Sequence, residues 1–270
     1  MSYLKVNGVK LFYQLKGNQE SKNTLVFLNG VMASTGSWEN QYRFFEKMDF
    51  KILLHDFRGQ LMSDKPEGEY SFKQHADDLI ALMDELKIDK AHLIGTSYGG
   101  EVAMKTAVLY PERVNTASVI DSVSELDELL VQAINLWKIL AEQGDVEKFY
   151  RGMIPSIYGN AFVEQNKENL EKKALEMKSL SKEYLSGQIS LYNTFLNDVD
   201  MTDELDRINA PLLVVCGQED SLKRPKFSKI IADKVKNSEY ALIPDCGHVT
   251  IYEKPDVLNS LLLGFILKNL

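Results

Sequence analysis

Cysteine is nearly absent from this sequence: only two occur in 270 residues, Cys216 and Cys246. Each stands among apolar neighbours, and two are too few for a disulfide framework, so reduced thiols and a cytoplasmic location are the expectation. Long apolar runs are also missing. No stretch of about 18 apolar residues occurs, and the N-terminal segment has no apolar core of the kind a signal peptide carries, so neither a membrane span nor export is expected. Positive charge is scarce. Lys and Arg number 31 against 39 Asp and Glu, a net −8, and no basic run rises above the background, so nucleic acid is not an expected partner. Internal repeats and low-complexity tracts are lacking too. No His-Cys or His-Glu cluster has ligand spacing, and a G-x-G-x-x-G dinucleotide loop is not matched, so neither a metal nor a cofactor is expected.

What remains is an ordinary globular composition, 44% hydrophobic and 26% charged, that supports a sizeable core. The length allows two domains or one large domain with an insertion. Short apolar runs of strand length fall at residues 24–28, 51–55, 92–96, 115–120, 212–216 and 240–243, each read as a buried strand. An opening hairpin, 3–6 and 9–15, turns at Asn7-Gly8. Helical patterns at 38–47, 72–86, 99–110, 226–235 and 256–267 alternate with the runs, which predicts a mostly parallel sheet with helices on both faces. One interval breaks the rhythm. Residues 122–200 carry continuous helical spacing with breaks at Gly144, Pro155 and Gly159 and no strand signal. The expected organisation is an α/β core, residues 1–121 and 201–270, with an all-helical cap at 122–200.

The strongest chemical signal is Gly95-Thr96-Ser97-Tyr98-Gly99, a G-x-S-x-G sequence between an apolar strand and a helix. A serine on such a turn adopts a strained backbone, and only small residues two before and two after let the turn close. The new helix aims its free N–H groups at the site where an oxyanion forms. A serine needs a base, and the base an orienting acid. His248, in the loop past the last strand, comes to the same sheet edge as Ser97; His55, His75 and His92 lie in or beside strands or helices and fit less well. For the acid, Asp220 follows the seventh strand in Gly217-Gln218-Glu219-Asp220. Asp121, directly after the sixth, is a second candidate, and Glu219 a third.

The order Ser97, Asp220, His248 resembles that of the α/β-hydrolase superfamily over nearly the whole chain. Other segments agree: Asn29-Gly30-Val31 stands where the family has its His-Gly loop, Asp56-Phe57-Arg58-Gly59 matches its D-x-R-G stretch, and Glu253-Lys254-Pro255 its E-K-P segment. The resemblance implies an eight-stranded α/β-hydrolase fold, with the backbone N–H groups of Val31 and Tyr98 as the oxyanion hole and the insertion as a cap over the pocket. Two departures stand out: Asn29 replaces the family's histidine, and Gln60-Leu61-Met62-Ser63 replaces its glycine-containing turn. Apolar candidates for the pocket wall are Met32, Trp38, Trp137, Phe149, Met153, Ile154, Tyr158 and Phe195. They imply a small to medium, mainly apolar carboxylic ester, lactone or thioester as substrate, cleaved through an acyl-enzyme by a monomer or homodimer. Two alternatives stay open. The loop at 29–35 is similar to those of an acyltransferase branch, although the insertion, with 8 basic and 13 acidic residues, offers no basic docking face for a carrier protein. A non-catalytic sensor of a small ligand is the other.

Overall fold

The computed structural model describes residues 2–270; residue 1 of the expected core segment lies outside the described residues. The chain opens with strands β1 (Ser2–Val6) and β2 (Val9–Gly17). Asn7 and Gly8 both adopt positive φ, 47° and 83°, the conformation a two-residue hairpin turn requires. Strands β3 (Thr24–Leu28), β4 (Lys51–His55), β5 (Ala91–Thr96), β6 (Val114–Ile120), β7 (Leu212–Gly217) and β8 (Ser238–Ile243) complete one eight-stranded sheet in the order β1-β2-β4-β3-β5-β6-β7-β8. Strand β2 pairs antiparallel with both neighbours, and β3 to β8 run parallel. Every residue of β3, β5 and β7 is buried, as central strands covered on both faces must be.

The apolar run at 240–243 departs from the expectation of a buried strand. Strand β8 is the sheet's edge, with Tyr240 and Leu242 exposed, because no further strand pairs on its far side among the described residues.

Helices α1 (Glu39–Phe45) and α11 (Pro255–Lys268) cover one face of the sheet through Phe45, Leu258, Leu262 and Phe265. On the other face lie α2 (Phe72–Glu85), α3 (Tyr98–Leu109) and α9 (Pro225–Lys234), burying Leu79, Val102 and Ile231. Ser71 caps α2 by accepting the Gln74 N–H at 3.0 Å, one of the donors a helix start leaves free. Trp38 lies in a single 3-10 turn ahead of α1 rather than inside it.

Between β6 and β7 come five helices, α4 (Glu128–Glu142), α5 (Val146–Ile157), α6 (Asn160–Gln165), α7 (Lys167–Glu176) and α8 (Lys182–Asp198). Asp127 and Asp145 cap α4 and α5 through the Leu130 and Lys148 N–H groups, and Gly144, at φ 74°, ends α4. Pro155 does not break the chain as its sequence position predicts: α5 runs through it to Ile157. It sits in the last turn, where a missing N–H and a crowded preceding carbonyl disturb only one bond before the helix stops anyway. The buried side chains of these helices, among them Trp137, Phe149 and Phe195, join the core of the α2, α3, α9 face in one continuous cluster.

Candidate active site

Ser97 lies in the one-residue turn from β5 into α3, at φ 51° and ψ −119°, a conformation that costs roughly 1–3 kcal/mol and persists only where the surroundings enforce it. They do so here by leaving no room for a β-carbon. A Cβ on Gly95 would fall 2.2 Å from the Gly99 carbonyl oxygen, and one on Gly99 would fall 2.0 Å from the Leu28 carbonyl oxygen. The turn is fastened by the Ser97 N–H donating to the Ile120 carbonyl at 2.7 Å and the Ser122 hydroxyl donating to the Ser97 carbonyl at 2.9 Å.

Two loops from the same sheet edge complete a line of hydrogen bonds. Ser97 Oγ stands 3.0 Å from His248 Nε2, and His248 Nδ1 stands 2.8 Å from Asp220 Oδ2. A carboxylate at Nδ1 fixes that nitrogen as the N–H and leaves Nε2 free to accept the serine proton. The other oxygen of Asp220 accepts the Leu222 and Lys223 N–H groups at 2.9 and 2.8 Å. The two loops meet so closely that a Cβ on Gly217 would lie 2.0 Å from the Gly247 carbonyl oxygen. Burial opposes charge on His248, but the charge and hydrogen bond of Asp220 outweigh it, so the imidazole titrates above its ordinary range.

Asp121 occupies a different place. Its oxygens accept the Gly217 N–H at 2.9 Å and the Thr250 N–H at 3.3 Å, so it braces the two loops and has no hydrogen bond to His248. Burial, reinforced by the charge of Asp220, lifts its pKa to about 7. Asp121, Cys216 and Asp220 have potential ligand atoms within 4.8 Å of one another. Burial pushes the Cys216 thiol up, away from the thiolate a metal needs, and both carboxylates already hold backbone N–H groups. Glu219 is exposed and its backbone N–H donates to the Cys246 carbonyl.

The N–H groups of Val31 and Tyr98 have no acceptor among the described residues. Gly30 brings the first loop against Ser97: a Cβ there would lie 3.5 Å from the serine Cβ. Asn29 and Gln60, the two departures from the family pattern, form one unit beneath this loop. Asn29 donates to Gln60 Oε1 at 3.0 Å, and Gln60 donates to the Gly30 and Val31 carbonyls at 2.8 and 3.2 Å. With its carbonyls held from below, the loop keeps the Val31 N–H free.

A cavity of about 780 Å³ opens over Ser97 and His248, between the sheet edge and α4–α8. Met32, Trp137, Met153 and Tyr158 line it, together with Phe195. Trp38 does not. It is fully buried on the α1, α11 face against Phe27, ring centroids 4.9 Å apart, and its indole N–H donates to Asn29 Oδ1 at 2.9 Å. Its expected place in the pocket is corrected to the support of the Asn29 loop, because the 3-10 turn directs the ring down into the core. Phe149 is also core rather than wall.

One pair escaped sequence reading. Lys223, on the cavity wall, puts its ammonium 2.9 and 2.8 Å from the two oxygens of Glu101, both residues buried, with the Phe195 ring 4.4 Å away. The available signal was Glu101 itself, a carboxylate in an otherwise apolar helix run one turn after the serine.

Residues 23–255 match the family described as the alpha/beta hydrolase fold. The chain is 26% identical over 256 residues to a 3-oxoadipate enol-lactonase of Acinetobacter baylyi, covering 95% of this chain and 92% of that protein. Among solved structures it is similar to an alpha/beta hydrolase enzyme from a Medee basin deep-sea metagenome library, with TM-score 0.93, 29% identity and coverage of 98% and 97%. It shares the fold of an enol-lactonase from Burkholderia xenovorans, with TM-score 0.87, 22% identity and coverage of 98% and 100%.

Proposed function

Because the chain belongs to the alpha/beta hydrolase fold family, we propose that it is a serine hydrolase cleaving a small to medium, mainly apolar carboxylic ester or lactone through an acyl-enzyme. The observation that carries this reading is the line Ser97–His248–Asp220 ending at the floor of a largely apolar cavity. The relative named as an enol-lactonase supports hydrolysis as the reaction class.

In this reading Ser97 Oγ attacks the substrate carbonyl while His248 Nε2 takes its proton, and Asp220 holds the imidazole and favours the imidazolium that forms. The Val31 and Tyr98 N–H groups receive the oxyanion of the tetrahedral intermediate. Collapse breaks the ester bond, and the imidazolium gives its proton to the departing alkoxide. In a lactone the alkoxide stays tethered to the acyl group. Water then enters, loses a proton to His248 and adds to the acyl carbon; collapse breaks the bond to Ser97 Oγ, which takes the proton back from His248, and the acid leaves as its carboxylate. The insertion at 122–200 serves as the cap, and Met32, Trp137, Met153 and Tyr158 receive the acyl or alcohol part. Each buried methylene contributes about 0.8 kcal/mol until the wall is reached.

The test is labelling with a fluorophosphonate followed by a panel of neutral esters graded by acyl length. Wild type is expected to label once, at Ser97, and to prefer neutral over anionic esters. Ser97→Ala is expected to fold normally, resist labelling and lose about four or more orders of magnitude of turnover. Label at another serine, or retained turnover in Ser97→Ala, rules the reading out.

A further inference from the structure

The Glu253-Lys254-Pro255 segment plays no part in the chemistry above, yet its glutamate sits at the junction of cap and catalytic loop. Helix α10 (Thr250–Glu253) follows His248 directly and turns the Glu253 carboxylate back onto the loop it has just left. There Oε2 accepts the Gly247 N–H at 2.8 Å and Oε1 accepts the Val249 N–H at 3.2 Å. The residues on either side of His248 therefore hang from one side chain. Oε2 also accepts the Gly159 N–H at 3.1 Å, and Gly159 is the joint between α5 and α6. A second tie runs parallel: the His248 N–H itself donates to the Ile157 carbonyl at 2.9 Å. The two loops touch at van der Waals limit, since a Cβ on Gly247 would lie 2.3 Å from the Gly159 nitrogen.

We propose that Glu253 is a positioning residue for the His248 imidazole, locking it to the cap so that the base reaches Ser97 only while the 157–159 joint is seated. The inference rests on the serine-hydrolase reading, in which His248 is the base. The physical argument is one of donors and acceptors. The three N–H groups require acceptors only, and an ionised carboxylate is the side chain that offers acceptors on both atoms. Glutamine offers one acceptor and one donor. Whichever way its amide is turned, an NH2 group faces either Val249 or the Gly159–Gly247 pair, and the loop must move to relieve the contact. The partners of His248, Ser97 at 3.0 Å from Nε2 and Asp220 at 2.8 Å from Nδ1, are held by their own loops, so movement of the His248 loop displaces the imidazole from the alignment that serves both bonds. A misplacement on the order of 1 Å costs about 100-fold in rate.

The experiment compares wild type, Glu253→Gln and Gly159→Ala in turnover of p-nitrophenyl butyrate across pH and in the rate of fluorophosphonate labelling, with folding followed by circular dichroism and thermal melting. In Glu253→Gln kcat is expected to fall about 10- to 100-fold with KM changed less than about threefold, because substrate contacts lie on other residues. Its acid limb is expected to move to lower pH, because a loosened Asp220 contact favours the imidazolium less. Gly159→Ala puts a Cβ 3.0 Å from Glu253 Oε2 and the Gly247 nitrogen and is expected to show the same changes at smaller size; it carries the test should Glu253→Gln not fold. A lower melting temperature with wild-type kcat and acid limb in a folded variant overturns the positioning role. Wild type that neither labels nor turns over the ester overturns the parent reading, and this inference with it; wild-type turnover with unaffected variants removes this inference alone.

Discussion

Asp220 and Asp121 lie side by side at the ends of neighbouring strands, and their different partners separate their roles. Asp220 reaches His248 Nδ1 and two backbone N–H groups of its own loop; Asp121 reaches only backbone N–H groups. Asp220→Asn is accordingly expected to lower kcat by roughly three to four orders of magnitude, since an amide permits the wrong imidazole tautomer. Asp121→Asn is expected to cost less than about tenfold in kcat and to lower the melting temperature, because its NH2 group opposes either the Gly217 or the Thr250 N–H. Steady-state kinetics on the two variants checks both, and a reversal of the two kinetic effects assigns the acid to Asp121. The sequence ranks Asp220 first, ahead of Asp121 and Glu219, but all three stand in loops just after strands, so only the contacts separate them.

At the scale of elements, the insertion is fastened to the core at a place with no chemical motif. Gly59, at φ 85°, ends the D-x-R-G stretch, and Gly187 on α8 presses on it: a Cβ at 187 would lie 2.1 Å from the Gly59 carbonyl oxygen. Eleven residues further along, Asp198 at the end of α8 accepts the Phe72 N–H at 2.6 Å, so the helix that carries Tyr192 and Phe195 into the cavity is held at both levels. Gly187→Ala is expected to destabilise by about 1–3 kcal/mol through overpacking against backbone, outweighing the gain of up to about 1 kcal/mol that alanine brings to a helix. Gly264→Ala on α11, where nothing lies within 4 Å of the new Cβ, is expected to stabilise by that gain alone. Calorimetric melting of the pair checks the contrast. Equal effects of the same sign show that the Gly59–Gly187 contact yields without cost.

Across the whole molecule, three histidines other than His248 are buried, His55 in β4, His92 in β5 and His75 in α2, and burial depresses them to about 4 for His55, about 3 for His75 and about 4 for His92. The unfolded chain, with histidine near 6.5, binds more protons than the folded one between those values, so each histidine removes stability as pH falls from about 6.5 toward its folded value, at about 1.4 kcal/mol per pH unit. Asp121 acts in the opposite direction: raised to about 7, it adds stability in acid that is lost as pH rises. The difference between two proteins isolates one group. His55→Leu is expected to lose less stability than wild type on acidification, the gap widening by about 1.4 kcal/mol per pH unit between about pH 6 and 4.5. Urea unfolding at several pH values measures it; parallel curves show that His55 does not titrate on unfolding.

The family, the sheet and the turn that carries Ser97 were legible from local information. Strands covered on both faces write themselves as short apolar runs, and a turn with no room for a β-carbon writes itself as Gly95 and Gly99. His248 was legible for a similar reason, standing in the loop after a strand pattern near the chain's end. What was not legible depended on distant partners. Strand β8 looked like its buried neighbours because edge position depends on which strands pair, not on its own residues. Trp38 looked like a pocket residue because an aromatic beside a glycine loop can face either side of a sheet, and only the 3-10 turn before α1 sent it to the core. Lys223 and Glu101 carry no local signal of their pairing, because they stand 122 residues apart in the chain and only folding sets ammonium and carboxylate 2.8 Å apart. By itself the sequence determined the α/β order, the helical run between β6 and β7 and the segments that bear Ser97 and His248, since these follow from periodicity and turn chemistry within a few residues. The tertiary structure alone decided which carboxylate meets the His248 imidazole, which apolar side chains enclose the cavity and how Glu253 ties Gly159 to the loop of His248, because each depends on contacts between residues that only the closed sheet edge brings together.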